Sequence, residues 1–183
     1  MIRFDTMSLA VQEAMCTPMH LILPEAPVPS SSKTSGALYL GSMAAVHESE
    51  ALRVNNITHL VQVLDAPWHP FSEKAGFNMY KIDIIDTSTA DLKPHLEAVC
   101  NHIDHALKSG KSVLVHCQQG ISRSASVVIA YLIRNRHMSY DTAFALVKGQ
   151  RACIKPNPGF VAALRDWETA WNRPNMGGRR FTT

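Results

Sequence analysis

The chain has 183 residues, of which 46% are hydrophobic, so one domain of ordinary size can bury a core without cross-links. A net charge of +3 is too small to indicate a nucleic-acid-binding protein. No apolar run reaches the roughly 18 residues of a membrane helix, and no signal-peptide pattern opens the chain. We therefore expect no membrane association and a location in the cytoplasm, or also in the nucleus.

The character of the sequence changes near residue 36. Residues 1–23 can hold a short helix, whereas residues 24–35 contain three prolines and four serines and have the composition of a linker. We therefore predict an N-terminal extension and linker over 1–35, a folded domain over 36–172 and a C-terminal tail over 173–183.

Short buried strands are predicted where apolar runs are rich in β-branched or aromatic residues. These runs are residues 37–40, 57–64, 79–85 and 112–116. Helical patterns separate most of them. This alternation predicts an α/β fold with a mainly parallel sheet of about four or five strands, flanked by helices on both faces.

Four longer segments predict helices, at residues 91–110, 124–136, 140–151 and 158–171. Asp91 is a candidate N-cap of the first, and Gly110 can end it. Asn157 is a candidate N-cap of the last, with Pro158 at its first helical position. The helix at 124–136 is apolar all round, so we expect it to be buried.

The segment that carries chemistry follows the last predicted strand and leads into a buried helix. Unpaired N–H groups and the positive end of the helix dipole favour anions at such a position, so a loop wrapped around it can bind phosphate. Gly120 permits the tight turn that this loop needs. The predicted phosphate-binding residues are Gln118, Gln119, Gly120, Ile121, Ser122 and Arg123.

Cys117 lies at the mouth of this loop, where the same field stabilises a thiolate and makes it a nucleophile. The planar guanidinium of Arg123 matches two phosphate oxygens and their charge in the transition state. A charged residue in this loop argues against an inert core cysteine. We expect His116 to hold the backbone of the cysteine and Ser124 to donate a hydrogen bond to the sulfur.

The sequence HCQQGISRS, residues 116–124, matches the His-Cys-x5-Arg-Ser/Thr signature of protein tyrosine phosphatases. Its Gly-x-Ser-Arg-Ser form resembles the dual-specificity protein phosphatase family, and residues 37–42, 130–132 and 155–160 also resemble it. The likeness covers about residues 36–170. It implies a protein tyrosine phosphatase-like fold of the small single-domain type, a phosphocysteine intermediate, phosphorylated protein substrates, and no metal or cofactor.

A phosphatase of this kind also needs an acid that protonates the leaving group. Asp83 lies inside a predicted strand, and Asp91 is committed to capping a helix. Asp86 follows the strand directly, and its position before Cys117 resembles the spacing in the family, so Asp86 is the predicted general acid and base.

The resemblance also implies supporting roles for Arg151, at the end of the predicted third helix, and for Asn157. An arginine at the position of Arg151 can contact additional substrate phosphate, and the alternative is a cation that interacts with the helix terminus. We expect Asn157 chiefly to cap the last helix, with support of the active-site loop as a secondary role. His95, His102 and His105 on the first long helix lack the further ligands of a metal site.

The residues between Cys117 and Arg123 are uncharged, whereas relatives that act on inositol lipids place lysines there. This favours phosphoproteins as substrates. No segment resembles the one that builds a deep phosphotyrosine slot, so phosphoserine and phosphothreonine should be accepted as well. Two alternatives remain: a catalytically weak module that binds phosphoproteins, or a phosphatase of a lipid, an RNA 5′ phosphate or a carbohydrate.

Overall fold

The structure, a computed structural model, describes residues 6–28, 32–65 and 76–171. Its strands are β1 (Met19–Leu23), β2 (Leu38–Gly41), β3 (Ile57–Val63), β4 (Asn78–Ile82) and β5 (Ser112–His116). Its helices are α1 (Leu9–Cys16), α2 (Met43–His47), α3 (Ser49–Val54), α4 (Lys93–Lys108), α5 (Arg123–Arg136), α6 (Tyr140–Gln150) and α7 (Pro158–Trp171). Within those ranges, no helix combines the length and the apolar character needed to cross a bilayer. The predicted tail at 173–183 lies outside the described residues.

The strands form one five-stranded sheet in the order β1-β2-β5-β3-β4. β2, β5, β3 and β4 run parallel to one another, and β1 pairs with β2 in the antiparallel direction. The predicted α/β fold with a mainly parallel sheet is therefore confirmed. β5 lies at the centre, and its last residue, His116, is level with Gly41 of β2 and Gln62 of β3. The loop after β5 consequently leaves from the middle of the carboxyl edge of the sheet, where open α/β folds bind ligands.

Alternate residues of the central strands face opposite sides of the sheet, as strand geometry requires. Val113 and Val115 of β5 belong to the large core that also contains the buried faces of α4, α5, α6 and α7. Leu114 belongs to a smaller core on the other face, with residues of α2 and α3. Both faces of the sheet are covered, which explains why β5 is buried along its whole length.

The four long helices lie close to their predicted positions. α4 has a proline in its first turn, and its N-cap residue is Leu92, not the predicted Asp91. Asp91 lies one position earlier, and its carboxylate accepts a hydrogen bond of 3.0 Å from the N–H of Lys93, the first residue of α4. α5 is buried continuously from Ser124 to Ile133, as its apolar character predicts. Asn157 caps α7, because its Oδ1 accepts a hydrogen bond of 2.9 Å from the Phe160 N–H.

The N-terminal segment differs from the prediction. The fold does not begin near Gly36, since β1 extends the sheet and buries Ile22 in the main core. The predicted linker also folds back on itself, with the Ser35 N–H donating to the Ala26 carbonyl at 2.8 Å. β1 has only five residues, MHLIL, and most of them are half-buried, so this short apolar run does not show whether it forms a strand or part of a helix.

Candidate active site

The loop between β5 and α5 turns sharply at Gly120, which has a φ of 69°. A Cβ atom there would lie 2.6 Å from the Gly41 carbonyl oxygen of the neighbouring strand. Both the left-handed backbone and this close approach require glycine, as the sequence indicates. The turn wraps the loop around the N-terminal end of α5 and brings the Gly120 N–H to the Cys117 sulfur.

Cys117 is only 2% exposed, and its Sγ accepts two hydrogen bonds. The Gly120 N–H lies 3.2 Å from the sulfur, and the Ser124 hydroxyl lies 3.1 Å from it. Both donors stabilise negative charge on sulfur. The expected contact between Ser124 and the sulfur is therefore present.

A pocket of about 500 Å³ opens above the sulfur. It is lined by Asp86, Cys117, Gln118, Gln119, Ile121, Ser122, Arg123, Lys155, Pro156, Asn157 and Pro158. The predicted nucleophile, phosphate clamp and acid thus line one cavity, together with most of the predicted phosphate-binding loop.

Arg123, the first residue of α5, places a largely buried guanidinium at this pocket. Its Nη1 donates to the Ile84 carbonyl at 3.3 Å, which fixes the side chain. Its buried Nε has no hydrogen-bond partner among the described residues and lies 3.8 Å from Oδ2 of Asp86. A buried donor of this kind suits an incoming anion, because a phosphate oxygen would satisfy it.

Asp86 is held by two neighbours that come from distant parts of the chain. Its Oδ1 accepts from the Ser122 hydroxyl at 2.7 Å and from Nδ2 of Asn157 at 2.8 Å. β4 ends at Ile82 and not at residue 85 as predicted, so Asp86 does not follow the strand directly but lies four positions after its last residue. Of the three candidate acids, Asp86 is the one that lines the pocket.

Asn157 serves both the last helix and the site. Besides capping α7 through its Oδ1, it donates from Nδ2 to Asp86 and from its backbone N–H to the Ser122 hydroxyl at 3.1 Å. The loop support expected of Asn157 is thus directed at both Asp86 and the phosphate-binding loop. Two residues later, a Cβ at Gly159 would collide with the Ser88 carbonyl, so α7 packs closely against the segment after Asp86.

Arg151 does not lie where additional substrate phosphate could reach it. The side chain is fully buried, and its guanidinium contacts the rear of the phosphate-binding loop. Its four hydrogen-bond acceptors are Gly120 O at 2.9 Å, Gln119 O at 3.0 Å, Thr17 O at 2.9 Å and His20 Nδ1 at 2.8 Å. The expected substrate contact is wrong, because α6 ends at Gln150 and the chain then turns this side chain inward. Burial lowers the pKa of Arg151 from its usual value.

His116 is fully buried beside the Cys117 backbone, but neither ring nitrogen makes a well-formed hydrogen bond with a described residue. The Cys117 backbone nevertheless interacts with the His116 ring and partly opposes the effect of burial on the pKa of His116, in agreement with the expected role of His116 beside the cysteine. Burial lowers the pKa of His116 to about 4, so the ring is neutral at physiological pH.

Sequence reasoning missed Lys155 and the role of the Ser122 hydroxyl. Lys155 is exposed at the pocket, and its backbone N–H donates to the Ile121 carbonyl at 2.8 Å. Its place in the segment 155–160, already singled out by resemblance, was the available signal. No local pattern indicates the contact between Ser122 and Asp86, which are 36 positions apart.

Comparisons with known proteins agree with this geometry. The family model described as the dual specificity phosphatase catalytic domain matches residues 38–170. The chain is 35% identical over 137 residues to dual specificity protein phosphatase 1B of Arabidopsis thaliana, covering 75% of this chain and 81% of that protein. It is 37% identical over 144 residues to dual specificity phosphatase 28 of Mus musculus, covering 79% and 87% respectively. Two other relatives are longer, and the match spans 27% and 35% of their length.

A similar solved structure is the crystal structure of human DUSP28. It superposes with a TM-score of 0.72 at 33% identity, covering 84% of this chain and 95% of that one. The similarity confirms the predicted protein tyrosine phosphatase-like fold.

Proposed function

Because the chain belongs to the dual specificity phosphatase family, we propose that it is a protein phosphatase that hydrolyses phosphotyrosine, phosphoserine and phosphothreonine through a covalent intermediate on Cys117. The observation that carries the proposal is that the Cys117 sulfur, the Arg123 guanidinium and the Asp86 carboxyl line the same pocket, where Nε of Arg123 has no hydrogen-bond partner among the described residues.

In the first step, the Cys117 thiolate attacks phosphorus, and the bond to the ester oxygen breaks. The N–H groups of the loop and the Arg123 guanidinium bind the phosphoryl oxygens, whose charge they stabilise most strongly in the transition state. The Ser124 hydroxyl, 3.1 Å from the sulfur, stabilises it again when it becomes the leaving group of the second step.

Asp86 protonates the departing ester oxygen in the first step. Its two hydrogen bonds are both accepted by Oδ1, so Oδ2, which lies 3.8 Å from Nε of Arg123 and accepts no hydrogen bond from the described residues, is the oxygen that carries the transferred proton. In the second step, water attacks the phosphocysteine, gives a proton to Asp86 and releases inorganic phosphate together with the thiolate. Proton transfer of this kind contributes about 10²–10⁴-fold to the rate.

The lining of the pocket supports acceptance of short as well as aromatic phosphorylated side chains. Among the described residues, no aromatic side chain lines it to form a deep slot. The loop side chains of Gln118, Gln119, Ile121 and Ser122 are uncharged, which favours one phosphate over the several of an inositol lipid. The position of Asp86 in the pocket favours catalysis over a binding module, because binding alone needs no acid.

The decisive experiment measures turnover of p-nitrophenyl phosphate and of phosphotyrosine and phosphothreonine peptides. Cys117→Ser should abolish turnover yet still bind phosphopeptides, because a hydroxyl is not a nucleophile at neutral pH. Arg123→Lys should be nearly inactive, because an ammonium cannot make the bidentate contact. Steady-state hydrolysis by Cys117→Ser above background would overturn the proposal.

The role of Asp86 has a graded test, since an acid matters most when the leaving group is poor. Asp86→Asn should slow hydrolysis of phosphothreonine peptides by about 10²-fold or more, and hydrolysis of an aryl ester with an acidic phenol much less. Asp83→Asn is the matched control, because Asp83 is exposed and does not line the pocket. A leaving-group dependence in the control variant, but not in Asp86→Asn, would reassign the acid.

We also propose that the protein acts on signalling phosphoproteins in the cytoplasm. All four cysteines are free, which suits a reducing compartment where a catalytic thiolate survives. Fluorescence microscopy of the tagged chain tests this, and accumulation in the secretory pathway would contradict it.

A further inference from the structure

A second pocket lies beside the candidate active site and shares a wall with it. Its volume is about 370 Å³, and it is lined by Met15, Ser42, Met43, Ala44, Gln118 and Gln119. Gln118 and Gln119 also line the active-site pocket, so the two cavities meet at the first residues of the phosphate-binding loop.

Three elements hold this second pocket in place. The Met43 N–H donates to the Gln118 carbonyl at 3.2 Å, which ties the start of α2 to the loop. The Ser42 N–H donates to the Pro18 carbonyl at 2.9 Å, which ties the residue before α2 to the segment after α1. The pocket is therefore built jointly by the N-terminal segment, α2 and the catalytic loop.

The lining of the second pocket contains no ionisable side chain. Two methionines, which adapt to irregular apolar shapes, line the pocket together with the exposed Ala44 and the uncharged Gln118 and Gln119. Lys155, by contrast, lies at the other end of the loop, where it bonds to Ile121. The two ends of the active site thus differ in charge, and this end suits an uncharged group.

We propose that the second pocket binds an uncharged, mainly apolar side chain of the substrate protein, close in sequence to the phosphorylated residue. This inference rests on the proposed function, because the phosphorylated residue occupies the neighbouring pocket. An extended peptide advances about 3.3 Å per residue, so a side chain one or two positions away reaches across a shared wall. The N-terminal segment then contributes to substrate selection as well as to the sheet.

The test uses a set of phosphotyrosine peptides in which one flanking residue is varied at a time. The varied positions are the two before and the two after the phosphotyrosine, and each carries Leu, Gln, Lys or Glu in turn. At one position, Leu should exceed Glu by about tenfold in kcat/KM, as burial of one apolar side chain predicts. Ala44→Glu adds a charge inside the pocket and should remove the preference for Leu in favour of Lys. Val54→Glu adds the same charge at an exposed residue that lines neither pocket, and it should keep the wild-type ranking.

Dissociation constants of the same peptides with Cys117→Ser separate this inference from the proposed catalysis. If the enzyme fails to turn over but the binding ranking changes with Ala44→Glu, the second pocket stands and the catalytic proposal falls. If turnover occurs but no flanking position matters, or if Ala44→Glu leaves the ranking unchanged, the proposed pocket is refuted. Failure of Cys117→Ser to bind any of the peptides also refutes it.

Discussion

Replacing Arg151 with methionine tests whether a buried cation holds the phosphate-binding loop in its active shape. Methionine keeps much of the apolar stem but removes all four donated hydrogen bonds. Two of the acceptors are the carbonyls of Gln119 and Gly120. A carbonyl held at the rear of the loop keeps the adjoining N–H groups turned toward the pocket, because each peptide unit is planar.

The expected loss of stability follows from the acceptors left behind. A buried acceptor without a partner costs about 1–3 kcal/mol, and desolvation of the guanidinium, which the methionine no longer needs, offsets part of the total. We expect a net loss of about 3 kcal/mol, or roughly 6–12 °C in Tm for a chain of this size. Vanadate affinity should fall about tenfold or more, as expected when preorganised donors are misplaced.

The assay combines thermal unfolding with vanadate inhibition measured well below the new Tm. Arg165→Met is the matched control, because Arg165 is half-exposed and pairs with Asp141 on the surface, where such pairs contribute about 0–1 kcal/mol. Arg151→Lys should recover part of the vanadate affinity. Wild-type Tm and vanadate affinity in Arg151→Met would refute the reasoning, since the network would then add nothing.

Three further changes probe the surroundings of the site. Asn157→Ser should keep a capping oxygen for α7 and hence most of the Tm, yet lower hydrolysis of phosphothreonine peptides by removing the amide donor to Asp86. Asn157→Ala should lower both, and an equal effect of the two variants on Tm would contradict this. Gly159→Ala should displace Ser88 and reduce the same activity about tenfold, and unchanged peptide kinetics would show that the segment adjusts freely. Burial lowers the pKa of His116 from 6.5 to about 4, so protonation of this ring disfavours the folded state. The free energy of unfolding should therefore be unaffected by His116 above pH 6.5 and should fall by about 3 kcal/mol as the pH is lowered to 4. Urea unfolding should show a shallower pH slope in His116→Gln, and an identical slope would refute the assignment.

The helices and central strands could be predicted because their signals are local. Asn157 and Pro158 mark the start of α7 through side-chain and backbone chemistry within a few residues. α2 and α3 have five and six residues and no side-chain cap, so they offer too few positions for a period to be recognised. β1 was missed because a short apolar run beside the predicted N-terminal helix does not distinguish a strand from a helix, and its place in the sheet depends on pairing with β2.

The catalytic loop could be predicted because Cys117, Gly120 and Arg123 lie within a single short segment. The burial of Arg151 could not, because its acceptors include Thr17 and His20, which are more than 130 positions away. Only the folded chain brings such partners together, and exposure is the reasonable expectation for an isolated arginine.

The tethering of Asp86 has a consequence for how substrate is received. An acid carried by a free loop must be brought over the substrate at each turnover, and ordering that loop consumes part of the binding energy. Here Ser122 and Asn157 already fix the carboxyl against the phosphate-binding loop and the start of α7. We therefore expect substrate to bind to a site in which the acid is already in place. Binding energy is then not consumed in ordering the acid and can contribute to discrimination between substrates.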